Sequence, residues 1–286
     1  MRTLQTIYLE GKQRLQKAGL ESPAFDAMCL FEYVFHMNRQ GLIMHGKTEC
    51  LKAEKELQFF TLIEQRAHHR PLQYILGEWM FFNLRLKMGE GVLIAREDTV
   101  VLIETAVRLL DAKCCSILDL CAGTGAVGLG IASIRPTASI TCVEKFDHAF
   151  AYLKDNIERC KQKGITNVTA EQGDVLSPNF AAQFADVECI VSNPPYVETA
   201  VLPTLQAEVQ QEPQTALDGG KDGLLFYRGI ADIWIPKIKS GGLIAVEIGQ
   251  GQEAAVSQLF SAAGIDRIQF EKDNAAIIRV VAGIKR

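Results

Sequence analysis

Apolar residues recur along this chain with two different periods, and the change between them divides it. In the N-terminal part the spacing is helical. Leu4, Ile7, Tyr8 and Leu15 fall near one helix face, and Gly19 follows as a stop. Ser22-Pro23 sets an N-cap residue before a proline suited to the first helical position. The helix it opens carries Phe25, Cys29, Leu30, Val34 and Phe35. A longer helix from Leu51 presents Leu57, Phe60, Ile63 and Ala67, then ends at His68-His69-Arg70 before Pro71. The pattern predicts a small all-α domain over residues 1–75, with no chemistry motif of its own.

From Trp79 to Ile94 the pattern becomes hairpin-like: Phe81–Met88, Gly89-Glu-Gly91, then Val92-Leu-Ile. Residues 76–95 therefore read as a β-hairpin linker, with Phe81 and Phe82 as hairpin packing. Beyond Asp98, strands and helices alternate. Strands are expected at Ser116–Leu120, Ser139–Glu144, Val168–Gln172, Cys189–Ser192 and Leu243–Ile248. Helices are expected at Gly125–Ile134, at Asp147–Lys163 and near Leu224–Ile238. Arg267–Lys272 and Ala276–Val281 look like a closing antiparallel pair. This rhythm predicts an α/β domain over 96–286, with a mostly parallel sheet covered on both faces.

Composition narrows the class. A chain of 286 residues suits about two domains. The apolar share of 48% is ample for a core, yet no run of about eighteen apolar residues suggests a membrane span. The first residues are too polar for a signal peptide, so a cytoplasmic protein is expected. Of eight cysteines, Cys114 and Cys115 are adjacent and the rest scattered, without a Cys-x-x-Cys pair. Neither a metal site nor a disulfide framework follows; reduced thiols do. His68-His69, near Arg66 and Arg70, reads as solvated charge rather than a metal site. A net charge of −4 argues against extensive nucleic-acid contact. A protein or small-molecule substrate fits better.

Candidate chemistry gathers at strand ends. Ile117-Leu-Asp119-Leu-Cys121-Ala122-Gly123-Thr124-Gly125 is a strand, a glycine-bearing turn and a helix start. There the backbone can approach a ligand, and free N–H groups point outward. Taken alone, the turn would equally serve a ligand-free βα connection. Glu144-Lys145 closes the next strand, where a carboxylate could take ribose hydroxyls. Asp174-Val175 closes the third and could border an adenine. Together they favour a nucleoside ligand. The loop lacks the third glycine of a dinucleotide fingerprint at its expected place, and an acid opening it is typical of S-adenosylmethionine sites.

The fourth strand runs into Asn193-Pro194-Pro195-Tyr196. The prolines donate no N–H and have fixed φ, and Asn193 before them is pushed towards extended geometry. Such a stiff corner can accept both hydrogens of a planar –NH2 group. Asn193, Pro194 and Tyr196 are the candidate catalytic residues, and with Pro195 they form the candidate substrate subsite.

At this point the chain resembles a family. Asp119–Gly125, Asn193–Tyr196, Glu212-Pro213 with Ala216-Leu217, and Gly219-Gly220-Lys-Asp-Gly223-Leu224 with Tyr227-Arg228 resemble the release factor glutamine methyltransferases. Arg70-Pro71-Leu72-Gln-Tyr74-Ile75-Leu-Gly77 is similar to that family's signature at the end of its helical domain. The resemblance implies a class I S-adenosylmethionine-dependent methyltransferase, with a Rossmann-like, seven-stranded, mostly parallel sheet and a small all-α N-terminal domain that helps dock the substrate. It implies methyl transfer to N5 of the glutamine in the Gly-Gly-Gln tip of class-1 peptide chain release factors. S-adenosylmethionine would lie against Asp119, Cys121, Ala122, Gly123, Thr124, Gly125, Glu144, Lys145, Asp174, Val175 and Asn193. A monomer is expected, with no stable nucleic-acid partner and no membrane. One departure stands out: Ala95-Arg96-Glu97-Asp98-Thr99-Val100 replaces the family's Pro-Arg-Pro-Glu/Asp-Thr-Glu, whose prolines stiffen the wall beside the cofactor. The rival readings are a methyltransferase acting on an exocyclic amino group of a nucleic-acid base, and a non-catalytic binding protein that retains the fold.

Overall fold

A computed structural model describes residues 2–111 and 116–286; the Cys114-Cys115 pair lies outside them. By their contacts these residues form two compact units, one of Met1–Glu78 with Gln206–Gln211, the other of Trp79–Leu205 with Glu212–Arg286. Among the described residues, no helix is long and apolar enough to cross a membrane.

The first unit holds α1 (Leu4–Lys17), α2 (Pro23–Phe35), α3 (Arg39–His45), α4 (Ala53–Ala67) and α5 (Leu72–Leu76). Its core is aromatic: Phe31 stacks on Phe35 at 4.4 Å and meets Phe59 edge-on at 5.7 Å. The apolar face of α4 differs from expectation. Phe59 and Ile63 are buried, whereas Leu57 is 71% exposed and Phe25 of α2 is 55% exposed. The reason is a close approach of α1. A Cβ on Gly11 would sit 2.6 Å from the Phe59 ring, so α4 turns Phe59, not Leu57, inwards. Ser22 occupies the N-cap of α2 without a side-chain capping bond, leaving Pro23 to set the helix start.

Arg66, named in the sequence only as a neighbour of His68-His69, has a place of its own in this unit. It is buried, not solvated: Nε donates to Asp26 Oδ2 at 2.7 Å, Nη1 to the Arg70 carbonyl and Nη2 to Glu208 Oε1 at 2.5 Å. Buried guanidinium groups persist when their donors meet fixed acceptors, as these do.

The second unit opens with β1 (Glu78–Phe81) and β2 (Leu84–Lys87), a short antiparallel pair. Val92–Ile94, expected as part of the hairpin, is not strand. Ile94 N–H donates to the Glu212 carboxylate at 2.9 Å instead of to a neighbouring strand. The chain continues through α6 (Val100–Leu109), a helix the pattern reading did not single out. It then alternates: β3 (Ser116–Leu120), α7 (Ala126–Ile134), β4 (Ser139–Glu144), α8 (Asp147–Lys161), β5 (Val168–Gln172), α9 (Pro178–Ala181) and β6 (Val187–Ser192). After a long loop come α10 (Leu225–Gly229), β7 (Ile238–Glu247), α11 (Glu253–Ala262), β8 (Ile265–Lys272) and β9 (Ile278–Lys285).

The expected helix at Leu224–Ile238 is broken into α10, a π turn over Ile230–Trp234 and a 3-10 turn over Ile235–Lys237. Pro236 removes the N–H that would continue an α-helix, and the altered winding lets Trp234 Nε1 donate to the Val175 carbonyl at 2.7 Å.

The seven strands lie in the order β5-β4-β3-β6-β7-β9-β8. The first five run parallel; β9 pairs antiparallel with both β7 and β8. From β3 the chain crosses to β4 on one side, and from β6 to β7 on the other. The crevice between β3 and β6 is thus a topological switch point, where ligands of parallel sheets sit beyond the carboxyl ends.

Gly11→Ala is expected to lower the thermal midpoint of the full chain. Overpacking against Phe59 costs about 1–3 kcal/mol, more than the roughly 0.5–1 kcal/mol that alanine gains in a helix. A calorimetric midpoint equal to or above wild type would contradict this packing.

Candidate functional site

Three acids stand at or close to consecutive strand ends. Asp119, in β3, is 1% exposed; its Oδ2 accepts from Gly128 N–H at 2.8 Å and lies near Cys142 Sγ, while Oδ1 has no partner. A Cβ on Gly128 would meet Cys142 Sγ at 2.4 Å, so only glycine lets α7 come close enough to make that bond. Burial drives the Asp119 carboxyl up to about 7, and the Gly128 N–H and Cys142 thiol offset only part of the rise. Glu144, ending β4, takes Gly123 N–H on Oε2 and the Lys145 and Phe146 N–H groups on Oε1. A carboxylate offers about four lone-pair positions, so one remains for a hydroxyl. Beyond β5, Asp174 Oδ2 pairs with Lys145 Nζ at 2.8 Å and Oδ1 accepts from Leu176 N–H. Burial would raise the Asp174 carboxyl, but those bonds outweigh it and hold it below its ordinary value.

Between them runs the glycine loop. Cys121 adopts a left-handed φ of 60°, a strained conformation of the kind that clusters at ligand sites. Ala122 N–H donates to the Val143 carbonyl, and Thr124 O accepts from Asn156 Nδ2 at 3.0 Å. Asn156, fully buried on α8, also exchanges two bonds with the Lys87 backbone of β2. One side chain thus fastens the loop to the hairpin. Nothing in its local sequence marks it, since only the fold brings residues 87, 124 and 156 together.

These residues enclose a pocket of about 950 Å³ including its open mouth. Of the residues expected at a cofactor, Asp119, Cys121, Ala122, Gly123, Thr124, Glu144, Lys145, Asp174, Val175 and Asn193 line it. Gly125 does not line it and caps α7. The pocket is also walled by residues the motif reading did not assign, among them Val92, Thr99, Phe146, Pro213 and Phe226. In the sequence, Glu212-Pro213 stands out only as part of the resemblance. In the fold, the Glu212 carboxylate takes both Ile94 N–H and the Arg96 guanidinium. The pocket wall that lacks the two prolines is held by those bonds instead.

The corner sits at one end of this pocket. Asn193 and Pro195 line it, while Pro194 is buried behind them. Asn193 Nδ2 donates to Thr99 Oγ1 at 3.2 Å. Tyr196 does not line the pocket: its hydroxyl lies 3.4 Å from Glu247 Oε1 and its ring packs on the core. Its carbonyl accepts from Gln252 Nε2 at 3.0 Å, and a bridge joins Val197 to Asp218 before the Gly219-Gly220 pair. Among the described residues, no group of histidine, cysteine or acidic side chains could hold a metal ion.

Comparison with known proteins now decides the family. Residues 6–77 match the model of the PrmC N-terminal domain, and residues 98–220 match that of conserved hypothetical protein 95. The release factor glutamine methyltransferase of Caulobacter vibrioides is 33% identical over 99% of this chain and 96% of its own length. Its counterpart in Clostridium botulinum is 34% identical over 99% of both. The counterpart in Thermodesulfovibrio yellowstonii is 40% identical over 77% of this chain and 78% of its own. The chain belongs to the release factor glutamine methyltransferase family. Its fold is that of a class I methyltransferase. The catalytic domain of hMettl16, solved with an RNA hairpin, superposes with a TM-score of 0.56 at 12% identity over 87% of each chain.

For this family member the pocket fits the methyl donor such enzymes use. Apolar walls at Val92, Phe146 and Phe226 suit a flat base, Glu144 has a lone pair for a hydroxyl, and the unpaired Asp119 Oδ1 suits a cation.

Asp119 generates a pH prediction. A free aspartate titrates near 3.9, roughly, whereas the folded Asp119 titrates at about 7. Between those values the folded chain holds a proton that the unfolded chain has lost, so its contribution to stability falls as pH rises across that window. Asp119→Asn should flatten the decline in thermal midpoint between about pH 4 and 7. A decline as steep as that of wild type would refute the buried, uncompensated carboxyl.

Proposed function

We propose that this protein transfers the methyl group of S-adenosylmethionine to the side-chain amide nitrogen of the glutamine in the Gly-Gly-Gln tip of class-1 peptide chain release factors, acting as a cytoplasmic monomer. The observation that carries the reading is the position of Asn193. It stands beside the donor pocket with its NH2 already given to Thr99, which leaves Oδ1 as an acceptor. When bound, S-adenosylmethionine supplies a methyl group on a cationic sulfur, already activated for transfer. Asp119, Glu144 and the Cys121–Thr124 turn would hold it.

The chain's own task is to hold the nucleophile. An amide nitrogen is poor in this role because its lone pair is delocalised into the carbonyl. Asn193 Oδ1 and the Pro194 carbonyl would each accept one N–H of the glutamine, fix its plane and stabilise the positive charge growing on nitrogen. Such positioning supplies up to about 7–11 kcal/mol in favourable cases. Tyr196, with its hydroxyl committed towards Glu247, braces the corner from behind. The reading assigns no general base, and the proton leaves to water after transfer. A glutamate in place of glutamine would set oxygen against oxygen and leave acceptors unpaired, at a cost of about 1–3 kcal/mol.

Incubating the chain with S-adenosylmethionine and a purified release factor should add one methyl group to the tip glutamine, seen by mass spectrometry of the tryptic peptide. Methylation of RNA or DNA with none on the release factor would move the reading to a nucleic-acid amino group. Asn193→Ala should lower kcat by about 10²–10³-fold, the loss typical of one transition-state partner, while calorimetry still records donor binding. Turnover within a few-fold of wild type would remove Asn193 from the mechanism.

A further inference from the structure

The hydrogen bonds behind Asn193 have a direction. Its Nδ2 donates to Thr99 Oγ1. Thr99 is 2% exposed, and its hydroxyl is the strongest of the groups that pull the Glu247 carboxyl down. Tyr196 OH donates to Glu247 Oε1 at 3.4 Å. Glu247 closes β7, the strand beside β6, and is itself 2% exposed; its Oε2 has no partner. A hydroxyl that accepts from an amide keeps one hydrogen to give, and an ionised carboxylate can only accept. With its remaining hydrogen given to Glu247, Thr99 takes an Asn193 N–H, which leaves the Asn193 oxygen as the free acceptor. Were the amide reversed, its NH2 would face the NH2 of the substrate, donor against donor.

We propose that Thr99 and Glu247 are a positioning pair that fixes which way round the Asn193 amide stands, and so makes the corner an acceptor for a primary amide. This rests on the reading above, because it takes Asn193 to receive the substrate nitrogen. It gives a task to a threonine lining the donor pocket and to a buried acid that does not line it.

The surroundings of Glu247 leave the pair dependent on its ionisation. Arg279 from β9 is a cation acting on it, but it is shared with Asp98 at 2.8 Å and Asp273 at 2.8 Å. From α10, Tyr227 OH donates to the Glu247 backbone carbonyl and not to its carboxyl. Tyr196 and Asp98 complete the titratable groups facing it. Burial therefore drives the carboxyl up to about 7, with Thr99 and Arg279 pulling the other way. Once protonated, it can donate to Thr99 and undo the direction of the chain.

Rates on a purified release factor and donor affinities by calorimetry test the pair. Thr99→Val keeps the shape and removes the hydroxyl. It should lower kcat by up to about 10²-fold, as a misplaced reacting group does, with donor affinity changed only a few-fold. Thr99→Ser restores the hydroxyl and should recover most of the rate. Wild-type kcat should climb as pH rises through about 7, and Glu247→Gln should lose that climb. The pair is refuted if Thr99→Val turns over like wild type, if Thr99→Ser is as slow as Thr99→Val, or if Glu247→Gln keeps the wild-type pH profile. Wild type is the reference in each comparison: no product from wild type defeats the reading of the substrate, whereas normal product from Thr99→Val defeats the pair alone.

Discussion

Uncompensated burial of acids at the carboxyl ends of parallel strands is the constraint on which this molecule turns. Asp119 and Glu247 are each almost wholly removed from water, and each keeps one oxygen without a partner. A fold selected for stability alone would replace such groups with apolar ones or satisfy them fully. Here the two unsatisfied atoms flank the β3–β6 crevice, one at the donor end and one behind the proline corner. Their raised titration and their position have one cause: the sheet buries what its ends must keep polar.

Everything else near the crevice supports those ends. Asn156 ties the glycine loop to β2, Glu212 holds the Ile94–Arg96 wall, and Gln252 bonds the Tyr196 and Gly223 carbonyls. Each is a polar side chain with at least one hydrogen bond to backbone of a distant segment. Fixed backbone partners resist rotation better than paired side chains, so the loops that form the pocket acquire the rigidity of the strands. The strap that lacks the family's two prolines illustrates the exchange. Fixed φ angles are one way to stiffen a wall, and a buried carboxylate bonded to it is another.

The helical unit uses the same device at a different place. Arg66 spans Asp26, the Arg70 carbonyl and Glu208, and Glu208 belongs to the short segment between the corner and Glu212. The guanidinium fork suits three fixed acceptors where an ammonium would not. Its burial sets it apart from His68, which is exposed at the same end of α4.

How much was legible in the sequence follows from the range of the interactions. The strands of the parallel sheet and the turn at Asp119–Gly125 declare themselves through short-range rules: apolar runs, a glycine turn and prolines that fix φ. So did the corner at Asn193–Tyr196, whose stiffness is a property of four consecutive residues. The phase of α4, the break in the helix after Leu224 and the fate of Val92–Ile94 were not legible. Each was decided by a contact with a remote segment: Gly11 against Phe59, Trp234 against Val175, Ile94 against Glu212. The same division runs through the site. Sequence alone determined that an asparagine braced by two prolines stands at the end of the fourth strand of the sheet; which way its amide faces depends, in the reading proposed above, on Thr99 and Glu247, residues far from it in the chain and brought near by a side-chain hydrogen bond and by the pairing of β6 with β7. Local covalent geometry sets what a corner is made of, and tertiary hydrogen bonding sets the direction in which it points.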